Sequence, residues 1–453
     1  MHKVTLAGLA AVTVMLGTVA SAATALPAGA AQVPSASAPS AAARAAVISR
    51  LHLAHGGLAG TLRMGALRMG TLRAGTATAA TAPGNELVSV SCVSTTNCLA
   101  VGENLNGDGG NGTPLTEKWN GSKWTATAAL KLPAGGKGGG LSGVECKSAS
   151  ECIAVGGYVK SGTASFALAA KWNGKAWTTF TAPGTAGEDT FLDGLSCVSA
   201  TDCVATGSFT TDAGNDAAPL ADSWNGSKWT QLANPKTLSG SQFGVLASVA
   251  CVAAKSCVAT GLDANSTAAG ELAETWNGSA WTMTKTPATG TDTIINELIG
   301  VSCLSLKNCS AVGENLTVTS TTIETTGDAQ HWNGTMWSNV TVPWAASAGD
   351  TALTGVSCVS PTDCVAVGMS NINEDSVAND PGRAASAVYN GKTWTVKSVP
   401  APAKGKGSLL GGVTCRSTTY CAAVGLTGPT NSTSSTSESG FWNGKTWKLV
   451  GAI

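Results

Sequence analysis

Histidine is scarce in this chain, with four in 453 residues. His331 is the one that lies beyond residue 55. That scarcity excludes a histidine-rich metal centre and leaves a Ser-His-Asp triad a single imidazole to draw on. Tyrosine is rarer still, at three, so a copper site of the His/Tyr kind has too few ligands. Charge is sparse, at 12% of residues, and never forms a long basic block or stripe, so nucleic acid is not an expected partner. Phosphate loops and dinucleotide fingerprints are missing. No Asp or Glu precedes Glu86, whereas six Lys and Arg residues do, leaving 21 basic against 27 acidic groups in the remainder. No long apolar run follows the first twenty or so residues, so no transmembrane segment is expected there.

What is present begins with an export pattern. Lys3 supplies a positive start, Val4 to Val19 an apolar stretch, and Ala20-Ser21-Ala22 a small-residue cleavage site. Residues 1–22 therefore read as a signal peptide, and the mature protein is expected to be secreted and extracellular. Residues 23–84 are rich in Ala, Ser, Pro and Gly, with scattered Arg and the pentads of "TLRMGALRMGTLRAG". A five-residue period fits neither helix nor strand, so this region reads as a disordered basic arm, able to associate with an anionic cell wall.

Residues 85–453 are built differently. Fourteen cysteines fall into seven C-x5-C pairs. They are Cys92 and Cys98, Cys146 and Cys152, Cys197 and Cys203, Cys251 and Cys257, Cys303 and Cys309, Cys358 and Cys364, and Cys415 and Cys421. A W-N-G turn follows each pair (Tyr389 replaces Trp once), and a second Trp lies three residues past every Gly. Each unit parses into four short strands: one before the first Cys, one after the second, one ending at W-N-G and one starting at the second Trp. Asn-Gly suits a hairpin because both residues tolerate positive φ. Four antiparallel strands per unit, seven units and no helical periodicity predict an all-β, seven-bladed β-propeller. Terminal units as regular as the middle ones argue for a closed ring over an open solenoid.

Two residues facing each other across a hairpin come close enough for a disulfide when the pair is not hydrogen-bonded, and a five-residue loop permits that. Within-unit bridges are therefore expected, as staples persisting in an oxidising compartment. Zinc and redox readings fail on spacing. The paired Trp residues are expected to pack within and between blades. Asn120, Asn225, Asn277 and Asn333 also head glycosylation sequons, which turn chemistry already explains.

The "x-A-V-G" strand followed by a G-x-x-W hairpin resembles the Asp-box (BNR) propellers of sialidases and the related photosystem II assembly-factor propellers. The W-N-G-x-x-W repetition is also similar to secreted propellers of high-GC actinobacteria. The resemblance spans residues 85–453 and implies the hairpin topology. An Asp-box reads S-x-D-x-G-x-x-W; here Gly121 and Trp124 match, while Glu117 and Trp119 stand at its Ser and Asp positions. The three carboxylate-gripping arginines and the Tyr/Glu pair of sialidases are missing too, since this region holds just Arg383 and Arg416.

Function is then expected on the variable loops of a rigid scaffold. The expected ligand contacts are Trp344, Tyr158 and Phe209, aromatics that break the repeat, together with Glu103 and Asp108 in "ENLNGDGGNG". That loop has Leu115 where a calcium loop needs a bidentate Glu, so no metal and no cofactor are expected. The reading is a non-catalytic, monomeric scaffold binding an extracellular glycan or protein. The alternative is a carbohydrate-active enzyme using loop carboxylates such as Asp212, Glu374 or Asp375.

Overall fold

The computed structural model describes residues 84–105, 112–160, 165–183, 189–211, 216–238, 240–265, 269–287, 293–318, 323–372, 382–404, 406–429 and 435–451. The signal peptide, nearly all of the arm, and the loop acids Asp108, Asp212, Glu374 and Asp375 lie outside them. Gly84, expected in the arm, is the first residue of a strand. Among the described residues twenty-eight strands follow one another, with one 3-10 turn at Ala346–Ala348. In the first repeat they are β1 (Gly84–Ser94), β2 (Asn97–Leu105), β3 (Thr113–Trp119) and β4 (Trp124–Ala126), paired antiparallel in that order. Every later C-x5-C repeat supplies four strands in the same way. Five sheets are four-stranded, and an eight-stranded one joins the third and fourth repeats through a single parallel pairing, Ala217 with Phe243.

The first strand of each repeat packs against the first strands of its two neighbours, and β1 against that of the last repeat, Lys406–Ser417, so the units close into the ring of a β-propeller. These inner strands line a central channel of about 380 Å³. Their channel-facing edge has no partner strand, and hydroxyls from the neighbouring repeat answer part of that need. The residue before the first cysteine accepts the amide of the next repeat's first cysteine: Cys146 N–H to Ser91 (3.0 Å), Cys251 to Ser196 (2.9 Å), Cys358 to Ser302 (3.0 Å) and Cys415 to Ser357 (2.9 Å). This gives the recurring Ser before Cys a physical cause.

All seven expected disulfides are present, each inside one repeat and each joining that repeat's first two strands. Cys92 bonds Cys98, Cys146 bonds Cys152, Cys197 bonds Cys203 and Cys251 bonds Cys257. Cys303 bonds Cys309, Cys358 bonds Cys364 and Cys415 bonds Cys421, and Cα–Cα distances across the seven are 3.9–4.1 Å. The second cysteine of each pair is the more deeply placed: Cys98, Cys152, Cys203, Cys257, Cys309, Cys364 and Cys421 are all buried. Each of these also stands opposite the W-N-G aromatic of its third strand, as Cys98 does Trp119 and Cys364 does Tyr389. The staple thus packs into the blade core beside the ring.

Ring centroids of the paired aromatics lie 5.2–5.7 Å apart, contributing about 1 kcal/mol per pair beyond area burial. The W-N-G turn departs from expectation in detail. Asn120 N–H bonds Lys123 O, so Gly121 and Ser122 are the central pair, and Gly121 alone takes positive φ (94°). Asn120 instead works through its side chain, whose Oδ1 accepts the amides of Ser122 (2.9 Å) and Lys123 (3.0 Å). Gly121 also receives the Thr96 methyl from the cysteine turn, which places the two turns side by side on one face.

The ring closes without strand exchange. Trp119, Trp124 and Leu115 share a core with Ala422 and Val424, while Phe441 lies 4.5 Å from Trp119. Asn85 N–H bonds Ser435 O (3.0 Å), Trp124 Nε1–H bonds Ser439 Oγ (2.9 Å), and the Tyr420 hydroxyl donates to Thr95 O (2.9 Å).

Candidate functional site

The face opposite the cysteine and W-N-G turns carries the second-to-third-strand loops and the links between repeats. The expected contact residues near it are mostly packed away. Tyr158 is buried against Phe166 (centroids 5.6 Å), filling space left by Gly139. Phe209 is buried in the core between the second and third repeats. Trp344 is half-buried over Gly327, where a Cβ would come within 3.2 Å of the ring, and its Nε1–H bonds Gly327 O (3.2 Å). It plugs the preceding repeat. Gly138 to Gly140 open an inner strand of the second repeat.

Glu103 is also buried, at 7% exposure, and its setting is informative. Its carboxylate lies against Gly112 and against Gly140 of the next repeat, where side chains would collide with it. Directly across the β1–β2 pairing stands Glu86, also 7% exposed. The fifth repeat reproduces this arrangement. Glu297 faces Glu314 across Thr293–Ser305 and Asn308–Val318, at 5% and 7% exposure, again flanked by an Asn pair, Asn296 and Asn315.

Other repeats treat the same register differently. The fourth pairs Val245 with Leu262, the sixth Ala352 with Met369, and the seventh Leu409 with Leu426. Like charges directly opposite on a sheet destabilise it, and buried carboxylates demand compensation. Two repeats thus put paired acids where three others put apolar core. The signal was in the sequence: Glu six residues before the first cysteine and five after the second, in two units of seven.

A second acidic cluster joins the fourth and fifth repeats. Gln330 Nε2–H donates to Glu271 (2.5 Å) and Asp328 (3.1 Å). Burial first, and then the Asp328 charge, push the Glu271 carboxyl up to about 7. Asp222 is fully buried with neither carboxyl oxygen hydrogen-bonded among the described residues, and burial pushes it to about 7. Asp189, in the link between the second and third repeats, accepts the Ser165 amide (2.6 Å), a structural duty. His331 is half-buried and stacks on Tyr389 at 6.4 Å; burial lowers its pKa. Among the described residues no group of three or more His, Cys, Asp or Glu is placed to hold a metal ion.

The fold and its staples define a disulfide-bridged β-propeller, and seven disulfides fit an extracellular setting. Among the described residues no helix is long and apolar enough to cross a membrane. No protein-family profile and no curated protein sequence matches the chain. Solved structures of similar fold are β-propeller proteins. A polysaccharide lyase, the ulvan lyase of family PL25, bound to -[GlcA(1-4)Rha3S]-, aligns at TM-score 0.50 and 8% identity, over 82% of this chain and 96% of that one. YCF48 bound to D1 peptide aligns at 0.42 and 13%, over 77% and 91%. The fucose-specific lectin of Aleuria aurantia aligns at 0.40 and 11%, over 70% and 97%. At such identities the likeness is one of fold.

Proposed function

We propose that this chain is an exported, seven-bladed propeller that binds an extracellular glycan on its loop-bearing face, without catalysis. Seven disulfides and 28 strands, four to a repeat, support the blade count. The observation that carries the binding reading is the duplicated acidic site, Glu86 with Glu103 and Glu297 with Glu314, at a register where three sister repeats are apolar. Carboxylates are acceptors for two or more hydroxyls each, the chemistry a polyhydroxylated sugar presents. Their burial between strands fixes their geometry, so recognition relies on a preformed site.

Glycan-array binding of the wild-type chain and of two pair variants tests this. Glu86→Val with Glu103→Leu, and Glu297→Val with Glu314→Leu, import the residues of the fourth repeat. The expected result is a defined glycan bound by the wild type and lost, or halved in valence, in the variants. Binding unchanged in both variants would refute the reading, as would an array on which nothing binds. A second reading, glycoside cleavage, rests on each site offering two carboxyl groups. Product release from a bound glycan, abolished by Glu314→Gln while binding persists, would favour it.

A further inference from the structure

The face opposite the acidic pairs carries the other sign of charge. Five lysines stand on the W-N-G turns: Lys123, Lys175, Lys228, Lys392 and Lys445. Lys147, Lys255, Lys307 and Arg416 stand on the adjoining cysteine turns. All nine are exposed, and together they come from all seven repeats. Lys147 is paired with Glu145 (3.0 Å); the other eight make no salt bridge among the described residues. Carboxylates in these turns are fewer: Glu151, Asp202 and Asp363, of which Asp363 is engaged by Ser360 Oγ (2.6 Å).

Shape accompanies charge. Every cysteine turn has the same length, and so does every W-N-G-x-x-W turn, and the two turns of a repeat lie side by side, so the same surface recurs around the ring. The positive groups are spread around that face, with at least one from every repeat. Two of the four large apolar side chains exposed on the described surface, Leu306 (36%) and Met336 (57%), sit at the tips of the two turns of the fifth repeat. A ring of lysines with exposed apolar tips matches a plane of negative charge better than a thread of it.

We propose that this face docks the protein on an anionic lipid bilayer, holding the loop-bearing face outward. Each lysine near such a surface adds attraction that salt screens within a Debye length, while Leu306 and Met336 enter the headgroup boundary. Charge complementarity and the spread of the lysines over all seven repeats together favour a bilayer over a soluble acidic polymer, which would need a continuous track.

Cosedimentation of the exported chain with phosphatidylcholine vesicles, with or without about 30 mol% phosphatidylglycerol, tests the proposal. Binding is expected with phosphatidylglycerol alone and is expected to vanish near 0.5 M salt, at a Debye length of about 4 Å. Reversing Lys123, Lys228, Lys392 and Lys445 to Glu should weaken partitioning at least about a hundredfold. Reversing the equally exposed Lys131, Lys236, Lys285 and Lys404, in the links between repeats, should leave it within about threefold. An unchanged melting temperature and intact disulfides in both variants establish that folding is not the cause. The proposal is overturned if vesicles are not bound, or if both variants lose binding alike. It is also overturned if the first variant binds as wild type, which would assign attraction to the arm. Binding to polygalacturonate but not to vesicles would likewise overturn it, in favour of a polymer.

Discussion

The first and fifth repeats and the fourth and sixth share one scaffold yet fill the same register oppositely. Glu297 faces Glu314 where Val245 faces Leu262, and strand, bulge and disulfide are the same around both. Repeats thus act as internal controls. What recurs in all of them, such as the cysteines and the glycine of W-N-G, answers to the demands of the blade. What departs in some, at a buried position, marks those repeats as different from their sisters. Proteins commonly give up stability at such places in return for function.

The comparison is broken most severely by exporting the acids. Val245→Glu with Leu262→Glu places two carboxyls in an apolar seam, and urea unfolding should register a loss of about 4 kcal/mol or complete failure to fold. If that double variant is as stable as wild type, the register is tolerant and the natural acids need no explanation. Removing one staple, with Cys251→Ala and Cys257→Ala, should cost about 2 kcal/mol in the same assay, since each closes a short loop. A similar loss at any other staple, such as Cys303 with Cys309, would show that the bridges are equivalent across repeats.

Asp222 sharpens the comparison through pH. Its folded-state value of about 7 lies above the ordinary 3.8, so the folded protein keeps a proton that the unfolded chain releases. Stability is fully present below about pH 4 and is lost as pH rises through about 7. Glu271, Glu274 and Glu438, all pushed from 4.5 to about 7 chiefly by burial, act in the same direction. Melting temperature should therefore fall from mildly acidic to mildly alkaline pH, and Asp222→Asn should flatten the slope, raising stability by about 2 kcal/mol on the alkaline side alone. A profile rising with pH would contradict this assignment.

The smallest effect concerns Trp281. Its Nε1–H has no hydrogen-bond partner among the described residues, whereas Trp124 has Ser439. In the repeat that Trp281 faces, the equivalent position is Ala221. Ala221→Ser should add about 1 kcal/mol by supplying that acceptor.

Much of the blade was legible because its constraints are covalent or steric and recur at fixed spacing. Cysteine pairs, the positive-φ glycine and the flanking Trp residues each fix a local geometry whatever the neighbours do. The candidate site was not legible in the same way. Tyr158 and Phe209 broke the repeat and so looked like ligand contacts, yet their rings fill the core between repeats, and which way a ring points depends on the next blade. Glu103 stands out by the loop that follows it, whereas Glu86 and the pair of Glu297 and Glu314 lie in strand segments that carry no such mark. Only register shows that these acids meet, because their partners lie seventeen residues away across a hairpin.

Chemical denaturation of the Glu297→Val, Glu314→Leu variant weighs the central claim most directly. If the acids are held for a ligand, importing the fourth repeat's apolar pair should leave stability unchanged or raise it by about 1–2 kcal/mol. A loss of about 3 kcal/mol or more would mean that the acids belong to the core and would contradict the account.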